Sequence, residues 1–126
     1  MLFRSNKIEI KKNNFIKFKK NFVNKNYDDP VIKNMWDLIN EFSISTKIID
    51  DLFEGINSDI KENVKLNSKK ELLIYSYRVA GTVGLMMAKI LNVQKKQSLK
   101  SAIDLGIAMQ LTNISRDVME IGRAHV

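Results

Sequence analysis

The 126 residues contain no cysteine, which excludes a disulfide framework and any thiolate metal site. No apolar run approaches the roughly 20 residues that a membrane span needs. The start, MLFRSNKIEIKK, lacks the apolar middle of a signal peptide. Strand signals are missing too, because no period-two run is bounded by turn residues. Neither an internal repeat nor a low-complexity linker interrupts the chain. What is left is an all-α chain, at most one domain by length, with a hydrophobic share of 44% that is ordinary for a globular protein. A cytoplasmic setting suits it.

Charge is present in excess of one sign. The formal net charge is +7, and much of it sits early, in NKIEIKKNNFIKFKKNFVNKNY. Nucleic acid, anionic lipid or a phosphorylated substrate would each suit such a charge. A solvated Lys/Asn-rich surface is the plainer account, and no nucleic-acid recognition motif accompanies the lysines.

Apolar spacing lays out the helices. Phe15, Phe18 and Phe22 recur at i, i+3 and i+7 and share one helical face. NYDDP then breaks the pattern, with Asp28 or Asp29 as cap and Pro30 at the first helical position. Ile32, Met35, Trp36, Ile39 and Phe42 mark the next helix. After SIS at 43–45, with Ser45 as a cap, another runs from about Thr46 to about Glu62. KENVKLNSKK reads as a loop, and Ser68 with Glu71 three residues on is a capping-box signature. The helix it starts is predicted to run to about Leu91. NVQKKQ turns the chain, and a last helix from about Ser98 is predicted to reach Glu120.

Three places could carry chemistry. In the last helix Gln110, Asn113 and Asp117 are three and four residues apart and line one face, with Met109, Ile114 and Val118 to the side for packing. Facing a bundle, such groups need a partner, and a hard divalent cation or a diphosphate would serve. Facing water, they form an ordinary polar stripe. A carboxylate at i with another at i+4 is a natural helical offer to Mg²⁺, but the position four after Asp117 is Ile121. In YSYRVAGTVGLMMAKIL, the small residues Ala80, Gly81, Gly84 and Ala88 suit either close approach of a neighbouring helix or a hollow for a long apolar ligand. Tyr75 stands about one turn before them. Asp50 and Glu54, at i and i+4, suit solvent-facing charge better than a metal.

YSYRVAGTVGLMMAKILNV followed by AIDLGIAMQLTNISRDVMEI resembles the signature region of the squalene and phytoene synthases. DPVIKNMWDLINEFSISTKIIDDLFEGINSDI is similar to the helix pair ahead of it, where an E/D-G-x-x-x-D pattern recurs. The resemblance covers residues 28–120 and looks closer to the bacterial phytoene synthases. It implies part of an isoprenoid-synthase helical bundle. It further implies head-to-head condensation of two geranylgeranyl diphosphates to phytoene, through a cyclopropyl diphosphate, in carotenoid synthesis. Mg²⁺, or Mn²⁺, would be the cofactor. Carried over by position, Asp117 opens the family's second aspartate-rich motif and binds metal with Asn113, and Arg116 matches the family's arginine. Tyr75 matches a tyrosine at the diphosphate site. Val79, Ala80, Gly81, Gly84, Gln110 and Asn113 face substrate. A cytoplasmic enzyme, peripheral to the inner membrane and binding no nucleic acid, is the setting implied.

Departures from the pattern qualify these expectations. Nothing in residues 1–27, read as a basic flank of the same domain, resembles the family's first aspartate-rich motif. The second motif ends in Ile121 instead of aspartate, and the family's C-terminal helices are not found. EIGRAHV translates one frame of a common short-read sequencing adaptor, so 121–126 are expected to be an artefact and the helix to end at Glu120. The 126 residues alone are accordingly expected to be inactive. A squalene or dehydrosqualene synthase, using farnesyl diphosphate, is the nearest alternative. A non-catalytic assembly or lipid-binding relative of the same fold is the alternative of another kind.

Overall fold

The computed structural model describes residues 2–60 and 68–124. Within them every regular element is a helix, as the missing strand signals required. The predicted loop after residue 60 lies mostly outside the described residues. Two compact units divide the chain, Met1–Lys65 and Leu66–Val126.

The first unit is built from α1 (Leu2–Val23), α2 (Pro30–Glu41) and α3 (Thr46–Ile60). The i, i+3, i+7 phenylalanines of α1 do share a face, and Phe53 of α3 meets all three. Its ring stands edge-on to Phe15, Phe18 and Phe22 at centroid distances of 5.8, 6.2 and 5.2 Å, the arrangement that aromatic quadrupoles favour. Phe22 also stacks on Trp36 at 4.8 Å. The indole Nε1–H of Trp36 donates to the Phe22 carbonyl at 2.9 Å, so the polar edge of a buried ring is satisfied. Ile32, Ile39, Ile44, Ile48 and Ile49 complete the buried set.

Capping follows the sequence. The Asp29 side chain accepts the Val31 N–H at 2.9 Å, with Pro30 at the first helical position, and the Ser45 hydroxyl accepts the Lys47 N–H at 3.3 Å. The helix ends use a device the sequence does not advertise. After α1 and α2 the chain turns at Lys25 (φ 54°) and Ser43 (φ 51°). These left-handed residues let the Asn26 N–H donate to the Asn21 carbonyl, and the Ile44 N–H to that of Ile39, each at 3.0 Å. That is the Schellman arrangement, made here without glycine.

The second unit is a long hairpin. One arm is α4 (Lys69–Ser76), a π-helical turn (Tyr77–Gly81) and α5 (Thr82–Ile90), joined end to end in right-handed backbone. Ser68 caps it, accepting the Glu71 N–H at 3.1 Å. The sequence predicts one uninterrupted helix over this span, and the π turn is the difference. There the Thr82 N–H donates five residues back to the Tyr77 carbonyl, while the Thr82 hydroxyl donates to the Arg78 carbonyl at 2.8 Å. Thr82 is fully buried, so its hydroxyl supplies a local partner where the helical ladder changes register. Asn92 (φ 64°) then repeats the Schellman device, with the Val93 N–H on the Ala88 carbonyl at 3.0 Å.

The other arm is α6, Lys96–Ala124. It starts two residues before the predicted Ser98 and continues past the predicted stop at Glu120. Within Ile121–Ala124 only Gly122 opposes a helix, at about 1 kcal/mol relative to alanine, and the residues around it are ordinary helix formers.

The left-handed turns give a direct test. Ser43 already bears the roughly 1–2 kcal/mol that this region costs an L-residue, and Ser43→Val adds a β-branched side chain to it, so it lowers stability further. Ser43→Gly relieves the strain and raises stability by about 0.5 kcal/mol after glycine's extra unfolded-state entropy. Urea midpoints at unchanged slope measure both, and equal midpoints for the two variants would refute this account of the turn.

Candidate functional site

The two arms of the hairpin touch at backbone level. A Cβ placed on Gly84 would collide with the Ala102 carbonyl oxygen, and one on Gly106 with the Ala80 carbonyl oxygen. A Cβ on Gly81 would lie 3.0 Å from the Tyr77 ring and 3.2 Å from Ile103. The small residues at 80, 81 and 84 therefore perform the first task the sequence suggested, close approach of a neighbouring helix. Gly106 and Ala102 are their partners on α6. The sequence reading passed these two over, although their spacing of four repeats the small-residue pattern.

A hollow lies beside the same small residues. Along one edge of the same contact runs an open groove of about 520 Å³. Val79, Ala80, Val83, Gly84, Met87 and Leu91 form one wall, and Ala102, Leu105, Gly106 and Met109 the other. Met109, placed by the sequence as a packing residue, is largely exposed in that wall. Val93 and Ser98 lie at one end and Gln110 and Asn113 at the other, so the groove is apolar along its length with two amides at the end away from the turn between α5 and α6.

Of the residues singled out from the sequence, the structure brings together Val79, Ala80, Gly84, Gln110 and Asn113 as groove lining. Gly81 is buried against Tyr77 and α6 instead. Tyr75, half-buried on α4, is not part of the lining. Asp117 follows Asn113 by one turn on the same helix face. Its carboxylate is 63% exposed and meets Arg116 Nε at 3.7 Å, the arginine being 65% exposed. The polar seam is thus graded, from half-buried Gln110 to open Asn113 and Asp117. No cluster of three acidic or histidine side chains exists among the described residues, and Asp50 and Glu54 are both exposed. Within those residues no helix is long and apolar enough to cross a membrane.

The family model of the squalene/phytoene synthases matches residues 11–124. The chain belongs to this family. The resemblance seen in its two signatures is thereby established, and the match takes in most of α1 as well. The 15-cis-phytoene synthase of a Paracoccus strain is 44% identical over 79 residues, 60% of this chain and 26% of that protein. The enzyme of the same name from Pantoea ananas is 45% identical over 74 residues, 59% of this chain and 24% of that protein. The chloroplastic phytoene synthase 1 of Zea mays is 42% identical over 93 residues, 69% of this chain and 22% of that protein. The chain spans about a quarter of the length of these relatives. No solved structure matches it.

The backbone contact in this family member makes a clear prediction. Gly84→Leu puts four carbons where the Ala102 carbonyl already sits, and overpacking of this kind costs about 1–3 kcal/mol. Gly106→Ala is expected to cost a similar amount through the Ala80 carbonyl. A Gly84→Leu variant with an unchanged melting temperature would show that the hairpin arms do not meet there.

Proposed function

We propose that this chain is part of a phytoene synthase and that its groove holds the isoprenoid tail of a prenyl diphosphate, geranylgeranyl diphosphate in the first instance. The observation that carries the reading is the groove's polarity. An apolar channel ends in two amides and continues, one turn along the same face, to an exposed carboxylate and arginine. An amphiphile with an apolar tail and an anionic head matches that order of surfaces. The bacterial and plant relatives named above support the same assignment.

In this reading the tail lies along Val79, Val83, Met87 and Leu105, where burying it removes apolar surface of both partners from water. The Gln110 and Asn113 amides orient the start of the tail. Arg116 offers its guanidinium to phosphate oxygens, which it can grip with two parallel hydrogen bonds. Tyr75 places its hydroxyl toward the diphosphate. Bound at the head group, Mg²⁺ would neutralise the leaving diphosphate. Asp117 and Asn113 fit one side of such a site, since Mg²⁺ takes one or two carboxylates and fills its remaining positions with water and substrate phosphates. The apolar walls would keep water from a carbocation forming beside them. Association with a membrane surface, from which so apolar a substrate is drawn, belongs to the same proposal.

A single carboxylate serves only one side of a reaction that joins two diphosphates. The 126 residues alone are therefore expected to bind prenyl diphosphate without converting it to hydrocarbon. Asp117→Asn keeps the size of the side chain and removes its charge. It is expected to abolish the Mg²⁺-dependent part of geranylgeranyl diphosphate binding, read by titration calorimetry with and without the cation, and to leave the melting temperature unchanged. Identical Mg²⁺ dependence in the two proteins would exclude Asp117 as a ligand.

A further inference from the structure

We propose that the turn joining α5 to α6 is the length gauge of the groove, with Leu91, Val93 and Ser98 setting four isoprene units as the longest tail it holds; this rests on the prenyl diphosphate reading above. The groove runs from the amide of Asn113 to Ser98. Those two residues are fifteen positions apart on α6, which at 1.5 Å per residue is roughly 22 Å. One isoprene unit adds four chain bonds of about 1.5 Å in staggered geometry, or ~5 Å along the tail. Four units then need ~20 Å and fit, three leave the far end empty, and five need ~25 Å and overrun it.

The far end is also the place where length is adjustable. Width cannot give, because Gly84 and Gly106 hold the two arms in backbone contact. At the far end the left-handed Asn92 reverses the chain, and the Val93 N–H on the Ala88 carbonyl fixes Val93 in the lining there. Leu91 stands 72% exposed in the wall just before it. Ser98 closes the sequence of lining residues from the first turn of α6, where its small side chain leaves room that a larger one would fill.

The test titrates the protein, in Mg²⁺, with prenyl diphosphates of two, three, four and five isoprene units. Affinity is expected to rise at least about tenfold per added unit up to four, by burial of apolar surface, and to change less than about twofold from four to five. Ser98→Trp moves the break to three units. Leu91→Ala moves it to five, a gain that damaged folding does not produce. A steady rise through five units, a break that neither variant moves, or binding indifferent to tail length overturns the gauge. The matching prenyl alcohols separate this from the reading it rests on. If they show the same break with the same affinities, the tail gauge stands and the diphosphate assignment fails.

Discussion

The second unit depends on one interaction, the contact of two helix backbones with no side chain between them. Gly84 faces the Ala102 carbonyl and Gly106 faces that of Ala80, so each arm supplies the glycine that the other's carbonyl requires. Glycine inside a helix costs about 1 kcal/mol relative to alanine. Two such costs are offset only if the close approach gains something that bulkier residues would prevent. The gain is packing: Gly81, Thr82 and Ala88 are buried in an arm only one helix thick. The π turn belongs to the same arrangement, since Ala80 and Gly81, both contact residues, are its last two positions.

The same contact explains why a groove exists at all. Helices that meet through large side chains are spaced by them, and those side chains fill the valley along the seam. Here the small residues occupy the seam, so the larger neighbours Val83, Met87, Leu91, Leu105 and Met109 are left beside it, exposed on one edge. Scattered exposed apolar residues need no explanation, but five around one groove form a contiguous apolar surface, the kind that the proposed isoprenoid tail would cover. Close packing and an apolar hollow are therefore not competing explanations of the small-residue stretch, as they first stood in the sequence; the first produces the second.

Legibility in the sequence followed the kind of interaction involved. The phenylalanine face of α1, the caps at Asp29, Ser45 and Ser68 and the all-α class were legible because each rests on local periodicity or on a side chain bonding its own backbone. Lys25, Ser43 and Asn92 were not recognised as left-handed turn residues, because glycine or asparagine is the usual marker and only Asn92 conforms. The π turn left no trace in the apolar spacing, and the buried Thr82 hydroxyl beside it reads like any helical threonine. At the site, Ala80, Gly84, Gln110 and Asn113 were singled out by their spacing and Val79 through the family resemblance, and all five line one groove. Gly106 was missed because its role is defined by the carbonyl of another helix. Gly81 and Tyr75, singled out with them, fall outside the lining.

The head of the site is built on a different principle from its groove. The groove is fixed by backbone and can receive a tail without rearrangement, whereas Asp117 and Arg116 are open to water and paired at 3.7 Å. Neighbours at that exposure attract one another by only about 0–1 kcal/mol, so either is free to exchange its partner for a stronger one. For Arg116 a phosphate oxygen is such a partner, and for Asp117 a hard cation is. The weakness of this ion pair is thus compatible with the proposed role, because a tight pair would have to be broken before a diphosphate could bind. In the proposed role, a rigid apolar channel beside a loosely engaged polar pair would let the tail select by shape and the head respond to charge.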